Sequence, residues 1–291
     1  MNKMFKKYIV LVAACLLTFS MSMAQDITKH ELSVWGAGGL SSLNVDTNVG
    51  KTNNKIGGAI GVGYSYRLNA NWSISSGVEM SLYSGKYSLD NFSDSHIAND
   101  GEYDFMLHST IQKYEETQKV ISLNIPIMFT YQKPVMKDND FYISAGFKLG
   151  IPASADTKVN ASFNNSGYYP EWGNSIEDDP YFMGFGQFES SGKKGKLDVK
   201  TSYILALETG LKWSLSSNLA LYTGVYFDYG LNNLKKGSGE KVIQYNTENP
   251  SDYIHNSAIS SYYTMDGQSL VMVNKVKTFA VGLKVKLGFG L

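Results

Sequence analysis

The sequence predicts an all-β chain closed into an eight-stranded antiparallel up-and-down transmembrane β-barrel, with ten strands as the open alternative. Two observations predict it. Apolar residues recur at every second position: Trp72, Ile74, Val78, Met80 and Leu82 alternate with Ser73, Ser75, Gly77, Glu79 and Ser81. The connections between such runs also alternate, short at 69–71, 132–140 and 216–218, long and polar at 41–54, 84–118, 152–198 and 232–273. A tilted strand needs ~9–11 residues to cross hydrocarbon. In lipid an unpaired strand edge costs several kcal/mol per group, so the first and last strands must pair.

Each element follows from the same period. The first strand, Glu31 to Leu40, is glycine-rich, and the second, Lys55 to Leu68, sets Ile56, Ile60, Val62, Tyr64 and Tyr66 on one face. Asn69-Ala70-Asn71 turns the chain into the third, which begins at Trp72. The fourth, Val120 to Tyr131, shows Ile121, Leu123, Ile125, Ile127 and Phe129 outward. After the polar Lys137-Asp138-Asn139-Asp140 the fifth shows Phe141, Ile143, Ala145, Phe147, Leu149 and Ile151. The sixth, Val199 to Leu215, and the seventh, Leu219 to Tyr229, flank Ser216-Ser217-Asn218. The eighth runs from Phe279 to Leu291. The spacing of Leu68, Asn71, Ile74, Gly77 and Val78 recurs 147 residues later, from Leu215 to Val225, as expected of a copied hairpin.

The N-terminus predicts export. Lys3, Lys6 and Lys7 precede the apolar run Tyr8 to Phe19 and the small-x-small Ser22-Met23-Ala24, the pattern of a cleaved signal peptide over residues 1–24. Residues 25–291 form the barrel domain. Val12-Ala13-Ala14-Cys15 is the competing reading, a lipoprotein box. Cys15 is the only cysteine, which removes disulfide and thiol chemistry from the mature chain. That chain keeps 23 basic and 26 acidic residues, a weak mixed charge that argues against nucleic acid. Short loops are expected in the periplasm and long ones outside, with both termini periplasmic.

Alternation sends Arg67, Lys148, Lys212, Lys284 and Lys286 inward, together with Glu79, Glu208 and Asp228. Eight strands enclose an interior that side chains fill, so a lumen charge network is expected, and an ion pathway is the alternative. Tyr66, Trp72, Tyr131, Phe141 and Trp213 beside the short turns, with Tyr83, Tyr203 and Phe279 nearer the loops, read as aromatic girdles. Pro126 faces inward and marks a bulge or bend, since it lacks a ladder donor.

Reactive constellations are thin. Asp94, His96, Asp104 and His108 are the residues a rim enzyme would use, yet loop spacing fixes no triad or metal geometry, and no catalytic, metal or cofactor site is expected. Glu177-Asp178-Asp179 and Lys193-Lys194-Gly195-Lys196 are loop charges that suit a shared cation and lipopolysaccharide phosphates. Tyr168, Tyr169, Trp172, Tyr181 and Phe182 form the densest aromatic patch, a candidate interaction surface.

Ile121-Ser122-Leu123-Asn124-Ile125-Pro126-Ile127-Met128-Phe129-Thr130-Tyr131 resembles the "L-x-I-P-L-x-x-x-Y" strand of the PorT-like outer-membrane barrel proteins of the Bacteroidetes. Phe141 to Gly150 resembles their next strand, and the Gly63 to Glu79 hairpin fits too. Thr130 stands where that family usually has a basic residue. The resemblance implies an outer-membrane barrel and a binding or scaffold role, with secretion the namesake's task, and transfers no catalytic residues. Expected partners are outer-membrane lipid and lipopolysaccharide, and a protein or surface glycan at the external loops. A small-solute channel and a rim hydrolase or acyltransferase are the alternatives.

Overall fold

The computed structural model describes residues 29–136, 139–177, 181–237, 239–265 and 267–291. The leader with Cys15, the Lys137-Asp138 turn and the acidic pair Asp178 and Asp179 lie outside the described residues. Eight long strands form the ring: β1 His30–Thr47, β2 Ile56–Arg67, β3 Trp72–Asn99, β4 Asp104–Met136, β5 Asn139–Tyr169, β6 Ser202–Ser216, β7 Leu219–Gly230 and β8 Val273–Gly290. Each pairs antiparallel with its sequence neighbour. β1 then pairs with β8 from Glu31–Gly290 to Asp46–Lys275, so the ring closes on eight strands and leaves no edge within it. Val242 to Tyr245 adds no ninth or tenth strand. Ile243–Gln244 pairs only with Ile254–His255 in a small separate sheet.

Around the lower ring the alternation gives an apolar outside. Val34, Ile60, Val62, Val78, Met80, Ile125, Ile127, Phe129, Phe147, Val225, Leu283 and Val285 are all exposed on it. Tyr66, Trp72, Phe141 and Trp213 stand exposed beside the short turns, and the Trp72 and Tyr131 rings lie 5.1 Å apart. Tyr83 departs from the expected girdle. It is fully buried and faces inward, because it continues the odd-numbered inner face of β3.

Pro126 makes no bulge. The β3–β4 register runs unshifted from Ser76–Ile127 to Glu79–Asn124, and only the pairs opposite Gly77 and Val78 are missing. The Ser76 hydroxyl fills part of that gap by donating to the Pro126 carbonyl at 2.9 Å. That side-chain bond engages the Pro126 carbonyl across the gap, and the strand does not slip.

The largest departure lies in the expected long loops. Residues 84–118 and much of 152–198 are strand: β3, β4 and β5 run 28, 33 and 31 residues and rise well past the apolar belt. Here the alternation persists but its chemistry inverts. On β4, Lys119, Thr117 and Glu115 face out where Ile121 and Leu123 did below, while Tyr114, Ile111, Leu107 and Phe105 are buried inside. β1 and β8 invert likewise, with Leu43, Val45, Val273 and Val276 buried. The rising strands and Gly186–Lys196, which pairs with β5, form the wall of a headpiece. Residues 231–272 fold across its inner face and bury Val242, Tyr245, Tyr253, Ile259, Tyr263 and Met272 against it.

Candidate interaction site: a filled lumen beneath a headpiece

The eight charged residues assigned to the interior by sequence line the lumen or its short-turn mouth, and the ring pairs five of them directly with one another. Lys148 Nζ lies 2.9 Å from Glu79 Oε1 and 2.8 Å from Asp228 Oδ2. Glu79 also accepts from Trp35 Nε1 at 2.9 Å, Ser81 Oγ at 3.0 Å and Asn124 Nδ2 at 3.1 Å. One layer towards the short turns, Lys284 pairs with Glu208 and sits 4.7 Å above the Trp35 ring. Below that, Lys286 lies 3.8 Å from the Tyr222 ring centre and 4.0 Å from Glu31. The Tyr222 hydroxyl donates to Glu31 at 2.7 Å, and Lys212 donates to Gln132 at 3.2 Å. Arg67 lines the mouth nearby.

Sequence reading missed Glu31, Trp35 and Asn124 as members of this network. Glu31 sits at the edge of the glycine-rich strand, where the alternation is weakest. Trp35 enters the lumen because Gly61 and Gly63 on β2 leave room for its indole. A Cβ on Gly61 would stand 2.4 Å from the Trp35 ring.

The side chains of the described residues fill most of the lumen. Two cavities of about 30 Å³ remain among these side chains, room for a water or two each. A vestibule of about 260 Å³ opens at the short-turn mouth, lined by Glu31, Arg67, Asp140 and Lys212, and ends against the Lys286 and Glu31 layer. Above the Lys148 layer the interior turns apolar and continues into the headpiece core.

The headpiece is pinned by polar contacts that sequence spacing did not reveal. Glu116, fully buried, accepts from Ser257 Oγ at 2.5 Å, Ala258 N at 2.8 Å, and Tyr114 and Gln118 at 3.1 Å. Burial pushes its carboxyl above the ordinary carboxylate value. Lys241 Nζ reaches both oxygens of Asp94 at 2.9 Å and so ties the covering segment to β3. Buried tyrosines satisfy their hydroxyls on backbone: Tyr253 on Gly184 at 2.5 Å and Tyr245 on Met183 at 2.9 Å.

The four candidate rim residues do not converge. Asp94 faces in towards Lys241, and Asp104 accepts from Asn99 at 2.6 Å. His108 faces out and meets Ser95 Oγ at 2.7 Å with no carboxylate behind it. His96 turns inward with neither ring nitrogen bonded, and burial holds its pKa down to about 4. Among the described residues no three His, Cys, Asp or Glu side chains gather as a metal set.

The aromatic patch splits. Tyr169 is fully buried: its ring stacks 4.6 Å from Trp172 and 5.0 Å from Phe105, and its hydroxyl donates to Asp100 at 3.0 Å. It belongs to the core, since β5 is still strand there and Tyr169 takes the inward parity. Tyr168, Trp172, Tyr181 and Phe182 remain exposed, with Phe182 at 74%. Ile97 and Met106 share a cross-strand rung with Tyr168 and extend this surface along the outer face of the tip.

A family model described as outer membrane protein beta-barrel domain matches residues 23–236. The chain belongs to that family. The apolar belt of this outer-membrane barrel is therefore its lipid face. No curated protein matches the chain. Similar solved structures include Neisserial surface protein A, at a TM-score of 0.37 and 11% identity, covering 92% of this chain and 100% of that one. Ail of Yersinia pestis, solved with the heparin analogue sucrose octasulfate, follows at 0.28 and 11%, covering 90% and 99%. The translocator domain of the autotransporter NalP from Neisseria meningitidis stands at 0.23 and 10%, covering 99% and 97%. Likenesses this distant carry no task across.

Proposed function

We propose that this outer-membrane barrel is a non-catalytic binding or scaffold protein, with its headpiece outside the cell, both termini periplasmic, and the exposed tip engaging a protein partner. The observation that carries the reading is the inverted upper half of β3, β4 and β5. The chain commits three long strands and residues 231–272 to a hydrophobic-cored body beyond the membrane, which a bare membrane anchor does not need. The tip then leaves Ile97, Tyr168, Trp172 and Phe182 outside that core, large apolar side chains of the kind that dominate protein interfaces. Resemblance to the PorT-like proteins fits a secretion or surface-assembly scaffold and rests on the β4 and β5 motifs and the Gly63 to Glu79 hairpin. The filled lumen speaks against the channel alternative.

Crosslinking and co-purification from native membranes, with the wild-type chain beside a Trp172→Ser/Phe182→Ser variant, test the proposal. A protein partner captured by the wild type and lost in the variant is expected. Equal capture by both would reject the tip as the binding surface, and steady openings in a planar bilayer would restore the channel.

A further inference from the structure

Directly above the lipid belt, the outer face of the headpiece wall carries a collar of lysines. One cross-strand rung aligns Asn53, Lys86, Thr117, Lys158 and Lys194. The rung beneath aligns Ser84, Lys119, Asp156 and Lys196. Lys55 joins them by donating to Thr117 Oγ1 at 3.3 Å. Ile121, the next outward residue below Lys119, already belongs to the apolar belt, so the collar starts about 7 Å along the strand from lipid. That is headgroup depth.

Lys86 pairs with Glu115 at 2.9 Å and Lys196 with Asp156 at 2.6 Å. Among the described residues, Lys119, Lys158 and Lys194 have no carboxylate within ion-pair distance. Three ammonium groups without a direct ion pair, of which Lys194 also feels the Asp156 carboxylate, stand on neighbouring strands at headgroup level and are arranged for phosphate.

The same wall bends one rung higher. β4 bulges between Ile111 and Lys113, and β5 slips against Gly186–Lys196 between Val159 and Ala161. Gly192 takes a φ of +69° there, and its N–H donates to Asn160 Oδ1 at 2.8 Å. The paired irregularities open a groove of about 370 Å³ lined on its outer side by Lys113, Glu115, Asn160, Ser162, Glu189 and Ser191. This volume falls at the lower end of ligand pockets. Carboxylate, amide, hydroxyl and amine groups ring it and no aromatic wall closes it, while side-chain carbon, including Ala161 and the Lys113 stem, makes up much of its exposed floor. That mixture suits a sugar, whose ring presents both hydroxyls and C–H faces.

We propose that this face holds a phosphorylated glycolipid of the outer leaflet, its phosphates on Lys119, Lys158 and Lys194 and a headgroup sugar in the groove above. The stacking order, apolar belt, then lysines without a direct ion pair, then a groove ringed by polar groups, matches the order acyl chain, phosphate, sugar in such a lipid. The inference rests on the headpiece lying outside the cell and is separate from the protein partner at the tip.

The test uses the full mature barrel in nanodiscs, with native mass spectrometry reading retained lipid. The probes are a bisphosphorylated lipid A carrying core sugars, its dephosphorylated counterpart, and phosphatidylglycerol. The wild type should retain the phosphorylated glycolipid at least tenfold over either comparison lipid. Lys119→Ala/Lys158→Ala/Lys194→Ala should weaken that retention roughly 100-fold at low salt, with less loss at high salt. Asn160→Ala/Glu189→Ala should abolish the preference over phosphatidylglycerol while leaving phosphatidylglycerol binding unchanged. Unaltered heat-modifiable mobility on gels shows that both variants fold. Undiminished retention by the lysine variant, or no wild-type preference over phosphatidylglycerol, overturns the proposal, whatever the tip captures.

Discussion

Replacing Lys148 by methionine isolates what the lumen network contributes. The ammonium is 3% exposed and bridges two carboxylates, so its loss leaves both buried without their cation. Their positions are unequal. Glu79 retains three donors, from Trp35, Ser81 and Asn124. Asp228 Oδ2 has Lys148 alone, and its Oδ1 has no partner at all. Removing one member of a buried ion pair typically costs about 3–5 kcal/mol, and the orphaned aspartate should carry most of it. Lys148→Met is therefore expected to lose about 3–5 kcal/mol in urea unfolding from phospholipid vesicles, read by tryptophan fluorescence and gel mobility. Adding Asp228→Asn should recover at least half of the loss, and adding Glu79→Gln clearly less. A loss below about 1 kcal/mol, the scale of an exposed pair, would refute the reasoning, as would equal rescue by the two second substitutions.

Other outcomes follow from the headpiece and from β2. Phe105 packs on Tyr169, Phe185 and Tyr245, so Phe105→Ala should destabilise the headpiece by about 3–5 kcal/mol and expose it to protease. The ring below should keep its resistance to dodecyl sulfate. Acid should loosen the headpiece through two half-buried histidines. Burial holds His96 at about 4, with Lys241 adding to the effect and Asp94 opposing it; His255 stands at about 4 for the same reason, beside Lys193 and Asp252. Both lie below the ordinary 6.5, so the opened state binds more protons and stability present above pH 6.5 is lost as the pH falls towards 4. Glu116, raised by burial, acts with the opposite sign, gaining stability as it takes its proton. His96→Gln/His255→Gln should flatten the acid limb of the melting curve read at Trp172; an unchanged limb would assign it elsewhere. Gly61→Ala should displace the Trp35 indole, break its bond to Glu79 and shift its emission. An unmoved emission would show that the indole does not lie across β2.

The ring was legible because lipid allows only one solution. Apolar residues at period two, with charges confined to the opposite parity, left Lys148, Glu208 and Lys284 nowhere but the lumen. Their pairing partners followed from closure rather than from spacing. The headpiece was not legible by the same test. Above Ile121 the period continues, but apolar side chains move to the inner face, and Gln112 breaks the phase at the β4 bulge. Read with a lipid-facing template, Tyr114, Ile111, Leu107 and Phe105 therefore looked like scattered residues of a polar loop. A search for alternation of either phase would have extended β3, β4 and β5. Tyr169 was misassigned for the same reason: composition marks an aromatic patch, and only strand parity separates its buried members from its exposed ones. The Glu116 anchor joins residues 141 apart and leaves no local signature.

The central claim, a membrane-immersed ring whose outward chemistry switches at Lys119, is most directly tested by spin-label scanning along β4. Cys15 is the chain's single cysteine, so in a Cys15→Ala background single cysteines at 113, 115, 117, 119, 121, 123, 125, 127 and 129 can each be labelled uniquely. In bilayers, labels from 121 to 129 should collide with dissolved oxygen and be shielded from a water-soluble nickel chelate, while those from 113 to 119 should show the reverse. Chelate access throughout 121–129, or oxygen-rich lipid contact continuing up to 113, would contradict the account.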